Sequence, residues 1–162
     1  MIKMYAAGPI EGCTLEQANG WRQQLKTDFR CEIENNQLCI LDPMHGKEDI
    51  VEPGKVIIPE NYLTKYKMIA AVTGPTAIFR RDISMIDLSD IIYANFAHAN
   101  TVSKGTMFEL GYGFAKGKIL IVVANTSHPF LTVPAVVFKD EVAAQIYIRS
   151  LISSGMWRRH GN

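Results

Sequence analysis

The chain has 162 residues, of which 48% are hydrophobic, and its 17 basic residues nearly balance its 16 acidic residues. This length and composition provide a buried core for one domain, residues 1–162, and rarely for two. The balanced charge argues against a nucleic acid polymer or an anionic membrane surface as partner, so a small molecule is the expected ligand.

The cysteines and histidines give no sign of a metal site or a disulfide framework. Cys13, Cys31 and Cys39 are odd in number and lack Cys-x-x-Cys spacing, and the four histidines are scattered. The amino terminus lacks a basic region followed by an apolar core, and no apolar run approaches the roughly 20 residues of a membrane span. We therefore expect a cytoplasmic protein that uses neither a metal nor another cofactor.

The first third of the chain predicts a strand, a helix and a second strand. An apolar strand over 2–6 ends in a Gly-Pro turn. Thr14 and Gln17 have the spacing of a capping box, and apolar residues then recur at helical spacing up to about residue 30. A brief strand over 38–41 follows and stops at an Asp-Pro pair.

Residues 43–80 form the least regular segment of the sequence. Prolines and glycines interrupt it, and helical character is confined to 60–72. Connections this long usually carry function, often as a lid or a substrate-facing loop. We expect this segment to line a ligand pocket.

The rest of the chain alternates between helices and apolar strands. Helices are predicted over 80–88, 105–116 and 140–153, and strands over 90–96, 118–123 and 135–138. Gly117 is predicted to close the second of these helices. Strands separated by helices imply a mainly parallel sheet that is covered on both faces.

Glu109 is the leading candidate for chemistry. It is predicted in the first turns of a helix, close to the carboxyl end of the strand over 90–96, where open α/β sheets bind ligands. Gly111 and Gly113 each cost a helix on the order of 1 kcal/mol relative to alanine, which close packing or ligand approach would explain. A solvent-facing helix residue is the alternative interpretation of Glu109, although most of its immediate neighbours are apolar or aromatic.

Asp82 is a second candidate carboxylate, predicted at the start of the helix over 80–88 and directed toward the same edge as Glu109. In glycoside chemistry one acid attacks or stabilises a cationic carbon while the other donates a proton to the leaving group. An Asp in a first helical turn is also favoured by capping and by the helix dipole alone. Both interpretations of Asp82 remain open.

Three motifs resemble the nucleoside 2-deoxyribosyltransferase superfamily, which includes 2′-deoxynucleoside 5′-monophosphate N-glycosidases. They are Tyr5-Ala-Ala-Gly-Pro9, the segment from Asp82 to Asp90, and Gly105-Thr-Met-Phe-Glu-Leu-Gly-Tyr112. The resemblance covers residues 2 to about 138, except for 43–80. It implies a flavodoxin-like or Rossmann-like three-layer α/β sandwich with a mainly parallel five-stranded sheet. It also implies a homodimer or higher homo-oligomer whose subunits share active sites.

The resemblance implies roles for three side chains. Glu109 would be the nucleophile at the anomeric carbon and would form a covalent deoxyribosyl intermediate, Asp82 would interact with the base, and Tyr5 would orient the nucleophile. A carboxylate suits this chemistry because the glycosidic carbon develops oxocarbenium character as the base departs. An ordinary strand aromatic is the alternative for Tyr5.

The resemblance also bears on the 5′ end of the substrate. Ser103 stands six residues before Glu109, where transferases that act on free nucleosides carry an acid and monophosphate glycosidases carry a serine. A serine hydroxyl at a helix start, beside Lys104 and Gly105, can donate to phosphate, and an N-cap serine is the alternative. Thr132 lies near where the family places a polar residue that reaches across a dimer into the neighbouring site.

The turn after the first strand is the remaining candidate for substrate binding, through Gly8, Pro9, Ile10 and Gly12. Gly8 and Gly12 would supply backbone donors to the sugar or phosphate. Glu11 stands where the monophosphate glycosidases place an arginine, and a carboxylate beside a phosphate would be repelled. The sequence therefore leaves open whether the 5′ group is a phosphate or a hydroxyl.

Three functions follow as hypotheses. The first is hydrolysis of the N-glycosidic bond of a 2′-deoxynucleoside 5′-monophosphate. The second is transfer of deoxyribose between bases of free nucleosides, and the third is a nucleotide-binding module without turnover. The identity of the base is not indicated by the sequence.

Overall fold

The computed structural model describes residues 1–45, 54–57, 75–97, 103–126 and 128–155. Its strands are β1 Ile2–Ala7, β2 Leu38–Leu41, β3 Ile91–Asn95, β4 Ile119–Val123 and β5 Val136–Phe138. Its helices are α1 Leu15–Asp28, α2 Arg30–Glu34, α3 Pro75–Leu88, α4 Lys104–Ala115, α5 Pro129–Thr132 and α6 Glu141–Ser154. Most of the segment 43–80, including the helix predicted over 60–72, lies outside the described residues.

The five strands form one sheet in the order β2-β1-β3-β4-β5, and every neighbouring pair is parallel. This confirms the predicted five-stranded α/β sandwich. It is the flavodoxin-like strand order, in which ligands bind at the carboxyl ends of β1 and β3, where the order of the strands reverses. The fold therefore directs attention to the residues that follow these two strands.

Alternation along the strands divides the core between the two faces of the sheet. One face, which includes Met4 and Tyr93, packs against α1 and α6. The other face, which includes Tyr5 and Ile92, packs against α3, α4 and α5. Tyr5 is therefore directed toward the helix that carries Glu109.

Local signals at two helix ends are confirmed. Thr14 and Gln17 form both hydrogen bonds of the capping box of α1. Gly117 has a φ of +65°, the left-handed conformation that glycine adopts without strain after a helix. These signals are local, and so they could be recognised from neighbouring residues alone.

The helix predicted over 80–88 begins earlier, at Pro75. Proline is favoured in the first turn of a helix because its missing N–H would have no helical partner there, whereas the sequence analysis assigned Pro75 to an irregular segment. Asp82 consequently lies in the middle of α3, and the explanation of this residue by capping or by a first-turn dipole is wrong. The short helices α2 and α5 were not predicted, since five and four residues are too few to show a helical period.

Gly113 explains how closely α4 approaches the sheet. A Cβ atom at this position would lie 2.0 Å from Ile92 Cδ1 on β3, so a larger residue would require Ile92 to move. At Gly111, one residue before Tyr112 on an exposed part of the helix, a Cβ atom would meet nothing within 4 Å. Close packing therefore accounts for Gly113, and it fixes the depth at which α4 holds its side chains.

Candidate active site

Tyr5 and Glu109 meet at the carboxyl ends of the central strands. Tyr5 is fully buried on β1, and its hydroxyl donates a 2.6 Å hydrogen bond to Glu109 Oε1. Glu109 is half-buried in the second turn of α4. Two residues that the sequence separates by 104 positions are thus joined by a short, charge-assisted hydrogen bond.

The environment of Tyr5 keeps its phenol protonated. Burial raises the pKa of Tyr5 well above its ordinary value, and the negative charges of Glu109 and Asp82 raise it further. The phenol therefore remains a hydrogen-bond donor at neutral pH. This arrangement fixes the Glu109 carboxylate by a donor that does not lose its proton.

Asp82 belongs to the same cluster, because its charge acts on Tyr5. Its side chain is 17% exposed, and Asp82 Oδ1 accepts hydrogen bonds from Nε and Nη2 of Arg81 at 3.2 and 3.0 Å. Arg81 Nη2 also donates to the carbonyl oxygen of Pro43 at 2.7 Å. The pair therefore ties α3 to the chain that follows β2, and it places a cation beside the second carboxylate.

The sequence did not indicate a role for Arg81. Adjacent residues of a helix do not face each other in general, so spacing gave no reason to pair Arg81 with Asp82. The contact forms because the guanidinium turns toward Pro43, a residue 38 positions away. The sequence feature that could have indicated this pair is the position of Arg81 directly before the candidate acid Asp82.

The turn after β1 is closely packed at its start. Gly8 and Pro9 are buried, and a Cβ atom on Gly8 would lie 2.7 Å from Trp21 Cζ2, so this position requires glycine. Ile10 is half-buried and packs against a cluster that includes Met44 and Ile57. Gly8, Pro9 and Ile10 are thus packed within the fold, and their contact with substrate stays a prediction.

The second half of the same turn is paired with residues 54–57. Gly12 N donates to Ile57 O at 2.9 Å, and Ile57 N donates to Cys13 O at 2.8 Å. The N–H of Gly12 is therefore engaged within the protein, which corrects the expectation that it donates to substrate. The Glu11 side chain is exposed to solvent.

Ser103 is the N-cap of α4. Its Oγ accepts a 3.3 Å hydrogen bond from Thr106 N, so the N-cap interpretation of this serine is realised. The hydroxyl keeps its own hydrogen for donation to another group. Lys104 and Gly105 are exposed in the first turn, and a Cβ atom on Gly105 would make only an ordinary contact of 3.7 Å with Ser103 Oγ.

Thr132 lies on the outer surface of α5. Its side chain is exposed, and its hydroxyl donates to His128 O at 3.4 Å. Phe130 and Val133, which are close to Thr132 in the sequence, contribute with Phe114 to an apolar groove of about 460 Å³ between α4 and α5. The side chains of Phe114, Phe130 and Val133 are 60%, 77% and 82% exposed. Thr132 thus lies between two groove-lining apolar residues of the sequence, Phe130 and Val133, and does not itself line the groove.

Arg22 is a further residue near the site whose role the sequence did not indicate. It is fully buried in α1 and binds the carbonyl oxygens of Ala6 and Gly8 at the end of β1. Its charge also acts on Tyr5 and Glu109. The helix was predicted from the spacing of its apolar residues, and that spacing does not indicate that a cation is buried among them.

The described residues give two further observations. No three His, Cys, Asp or Glu side chains in the described ranges are grouped so that they would hold a metal ion. In the same ranges, no helix has the length and hydropathy that crossing a bilayer requires.

A family described as Nucleoside 2-deoxyribosyltransferase matches residues 5–156. Two solved structures resemble the chain with a TM-score of 0.54. A 2-desoxiribosyltransferase from Leishmania mexicana is 19% identical, with 94% of this chain and 98% of that chain covered. A 2-deoxyribosyltransferase from Bacillus psychrosaccharolyticus is 17% identical, with 93% and 95% covered.

A third structure, the CMP N-glycosidase BcmB from Clostridium botulinum, is 15% identical with a TM-score of 0.44, and 92% and 97% of the two chains are covered. The comparison with curated proteins found no significant match. The solved transferase structures support the fold, and the family match extends across all three motifs of the sequence. The chain belongs to the nucleoside 2-deoxyribosyltransferase family, whose members are enzymes that act on nucleosides or nucleotides.

Proposed function

We propose that this enzyme cleaves the N-glycosidic bond of 2′-deoxynucleoside 5′-monophosphates through a covalent deoxyribosyl intermediate on Glu109. The observation that carries the proposal is the hydrogen bond from the buried Tyr5 hydroxyl to Glu109 Oε1 at the ligand-binding edge of the sheet. A carboxylate held in one orientation is suited to in-line attack, because positioning removes much of the entropic cost of the reaction.

The reaction has two steps. An oxygen of Glu109 bonds to C1′ while the C1′–N bond breaks, and the electron pair of that bond leaves with the base. Water then bonds to C1′ while the ester bond to Glu109 breaks, and the proton lost by the water passes to the base or to solvent. The products are the free base, 2-deoxyribose 5-phosphate and the regenerated carboxylate.

Asp82 is proposed to hold the base. The guanidinium of Arg81, 3.0 Å from Asp82 Oδ1, favours the ionised form of this carboxylate. An ionised carboxylate accepts hydrogen bonds only, so it matches an N–H group of the base. Arg81 supports this role by fixing the side chain on α3.

The phosphate is proposed to lie at the start of α4. This helix has 12 residues, so its N-terminus provides a partial positive charge and backbone donors, with the Ser103 hydroxyl and the exposed Lys104 beside them. The exposure of Glu11 weakens the argument against phosphate, because a solvated carboxylate is screened by water and salt.

Base release from a panel of deoxynucleosides and their 5′-monophosphates, followed by chromatography with and without an added acceptor base, tests the proposal. We expect release from monophosphates without any requirement for an acceptor, and loss of release in Glu109→Gln. Absence of release from every substrate, with retained binding, would support a binding module and overturn the proposal.

Transfer between free nucleosides is the second candidate function. The description of the matching family favours it, since that family is named for the transferase reaction. In this case an acceptor base replaces water at C1′ of the same intermediate. Formation of a new nucleoside from an unphosphorylated donor and an added base would assign transfer.

We also propose that the enzyme is a homodimer or a higher homo-oligomer that pairs through the apolar surface of α4 and α5, with Thr132 directed toward the neighbouring site. Exposed apolar side chains on the same helix that carries Glu109 support this arrangement. Sedimentation of a Phe130→Ser, Val133→Ser variant should show dissociation. A Val142→Ser, Ile146→Ser variant is the matched control, because these exposed residues lie on α6 across the sheet.

The proposed compartment is the cytoplasm. The three cysteines are thiols rather than disulfides, as expected in a reducing compartment. Fractionation of cells that produce the protein would test this assignment.

A further inference from the structure

We propose that Arg22 is a positioning residue of this active site, which holds the backbone at the end of β1 and contributes positive charge that favours the ionised carboxylate of Glu109. The inference rests on the proposed function for its catalytic consequences. Its structural part, the clamp on the turn after β1, stands on the contacts of Arg22 alone.

The guanidinium of Arg22 binds the backbone at three points. Nε donates to Ala6 O at 3.1 Å, Nη2 donates to Gly8 O at 3.1 Å, and Nη1 donates to Ala18 O within α1. The planar fork of arginine matches this set of acceptors, which the single ammonium of lysine would not. Arg22 therefore joins α1 to the end of β1 and to Gly8, the first residue of the turn over 8–13, hereafter the substrate turn.

Two neighbours hold the guanidinium itself. Asp42 Oδ1 lies 3.7 Å from Nε, and the Trp21 ring lies 4.3 Å below the guanidinium carbon. Asp42 is almost fully buried after β2 and also accepts from Met44 N at 2.8 Å. The cation thus connects the chain ends of β1 and β2, the two strands at one side of the site.

A buried arginine at this place needs an explanation beyond packing. Burial lowers the pKa of Arg22, and Asp42 opposes this effect, although a guanidinium keeps its charge in proteins. Burying a charge is costly unless it is paired and fully hydrogen-bonded, and the rest of the buried face of α1 is apolar. An apolar residue would fill the space, but it would leave the carbonyl oxygens of Ala6 and Gly8 without their donor.

The charge of Arg22 also acts on the site across the end of the sheet. It opposes the effect of Glu109 and Asp82 on Tyr5, and it interacts with Glu109 itself. The groups that act on Tyr5 are Glu109 from α4, Asp82 from α3 and Arg22 from α1. Arg22 contributes a positive charge to this cluster, as Arg81 does beside Asp82, and its charge favours the ionised form of Glu109.

The test compares Arg22→Gln with Arg22→Lys. The glutamine variant loses the charge and most of the clamp, so we expect kcat/KM to fall about 100-fold, as misplacement by an ångström can cause. The acid limb of its pH profile should also move to higher pH, because protonation of Glu109 is no longer opposed by the charge of Arg22. The lysine variant should return the acid limb toward the wild-type position without restoring kcat, because it carries the charge without the fork.

Arg30→Gln is the matched control, because Arg30 is exposed on α2 and pairs only on the surface with Glu34. It should leave kcat, KM and the pH profile unchanged. A folded Arg22→Gln variant with a wild-type acid limb and wild-type kcat would overturn the proposal. If Arg22→Gln does not fold, Arg22→Lys decides the question. A lowered kcat with a wild-type acid limb supports the proposal, and a wild-type kcat refutes it.

Amide hydrogen exchange separates this inference from the proposed function. If the wild-type enzyme releases no base, the proposed function fails, and the clamp is then judged by exchange in the substrate turn. Faster exchange over residues 8–13 in Arg22→Gln, with unchanged exchange in α6, supports the clamp. Equal exchange of the two proteins in that turn refutes it.

Discussion

Each face of the sheet contains a fully buried tyrosine, and the two hydroxyls differ in their hydrogen bonding. On the face covered by α3 and α4, the Tyr5 hydroxyl donates to Glu109 at 2.6 Å. On the face covered by α1 and α6, Tyr93 is equally buried, and its hydroxyl has no hydrogen-bond partner among the described residues. Burial alone therefore does not mark a site. The difference is that the Tyr5 hydroxyl donates a hydrogen bond to a carboxylate, whereas Glu141 and Asp28 act on Tyr93 through their charge.

Removal of that partner is expected to have the largest effect on activity. Glu109→Gln keeps the shape of the side chain but loses the nucleophile, so turnover should fall on the order of 10⁴-fold or more. Chromatographic base release measures this loss, and a melting curve close to that of the wild type shows that the fold is intact. Glu16→Gln, at an exposed position of α1, is the control and should remain fully active.

The two tyrosines can be compared directly by removing one hydroxyl at a time. Tyr5→Phe should lower kcat about 100-fold, because Glu109 loses the donor that orients it. Tyr93→Phe should leave kcat unchanged and should preserve or slightly raise stability, since an unpaired buried hydroxyl is a cost to folding. Equal kcat losses in the two variants would show that the hydrogen bond to Glu109 has no special role.

The packing that places Glu109 can be altered without touching the site. Gly113→Ala puts a methyl group against Ile92 and should lower the free energy of unfolding by about 1–3 kcal/mol. Gly111→Ala meets open space and should raise it by up to about 1 kcal/mol through helix propensity. Urea unfolding of both variants measures the difference, and similar stabilities would contradict the close approach of α4 to β3.

The smallest effect concerns titration. Burial raises the pKa of Tyr5 well above its ordinary value and also raises the pKa of Tyr93, so the folded state holds both phenolic protons more tightly than the unfolded chain. The stability that results is present below the ordinary tyrosine pKa and is lost as the pH rises through the folded values. Phenolate absorbance should show that Tyr5 and Tyr93 titrate only as the protein unfolds at alkaline pH, and Tyr5→Phe and Tyr93→Phe should each remove one such group.

The sequence predicted the features that depend on local pattern. Apolar runs between helices indicated the parallel sheet, and the glycine-flanked Glu109 was recognisable because it follows a buried strand at the edge where such sheets bind ligands. The start of α3 was placed incorrectly, since Pro75 suits both a loop and the first turn of a helix. Asp82 was therefore assigned to a helix start when it lies in the middle of α3.

The features that the sequence did not predict depend on contacts between distant residues. Arg22 binds the carbonyl oxygens of Ala6 and Gly8, and backbone acceptors have no signature in the sequence of side chains. The pairing of Gly12 with Ile57 likewise joins two irregular segments whose approach no periodic pattern encodes. Such contacts become visible only when the fold has brought the segments together.

Among the described residues, the turn after β1, residues 8–13, is paired through its backbone with residues 54–57 and not with the helix that carries Glu109. Beside an entirely parallel sheet, the chain carries a small antiparallel clasp, completed by the bridge between Thr14 and Val56. The clasp holds the turn after β1, whereas Glu109, the proposed nucleophile, lies on α4. If the turn binds substrate as the sequence predicts, replacement of 54–57 by other sequences should change KM and leave kcat close to the wild-type value.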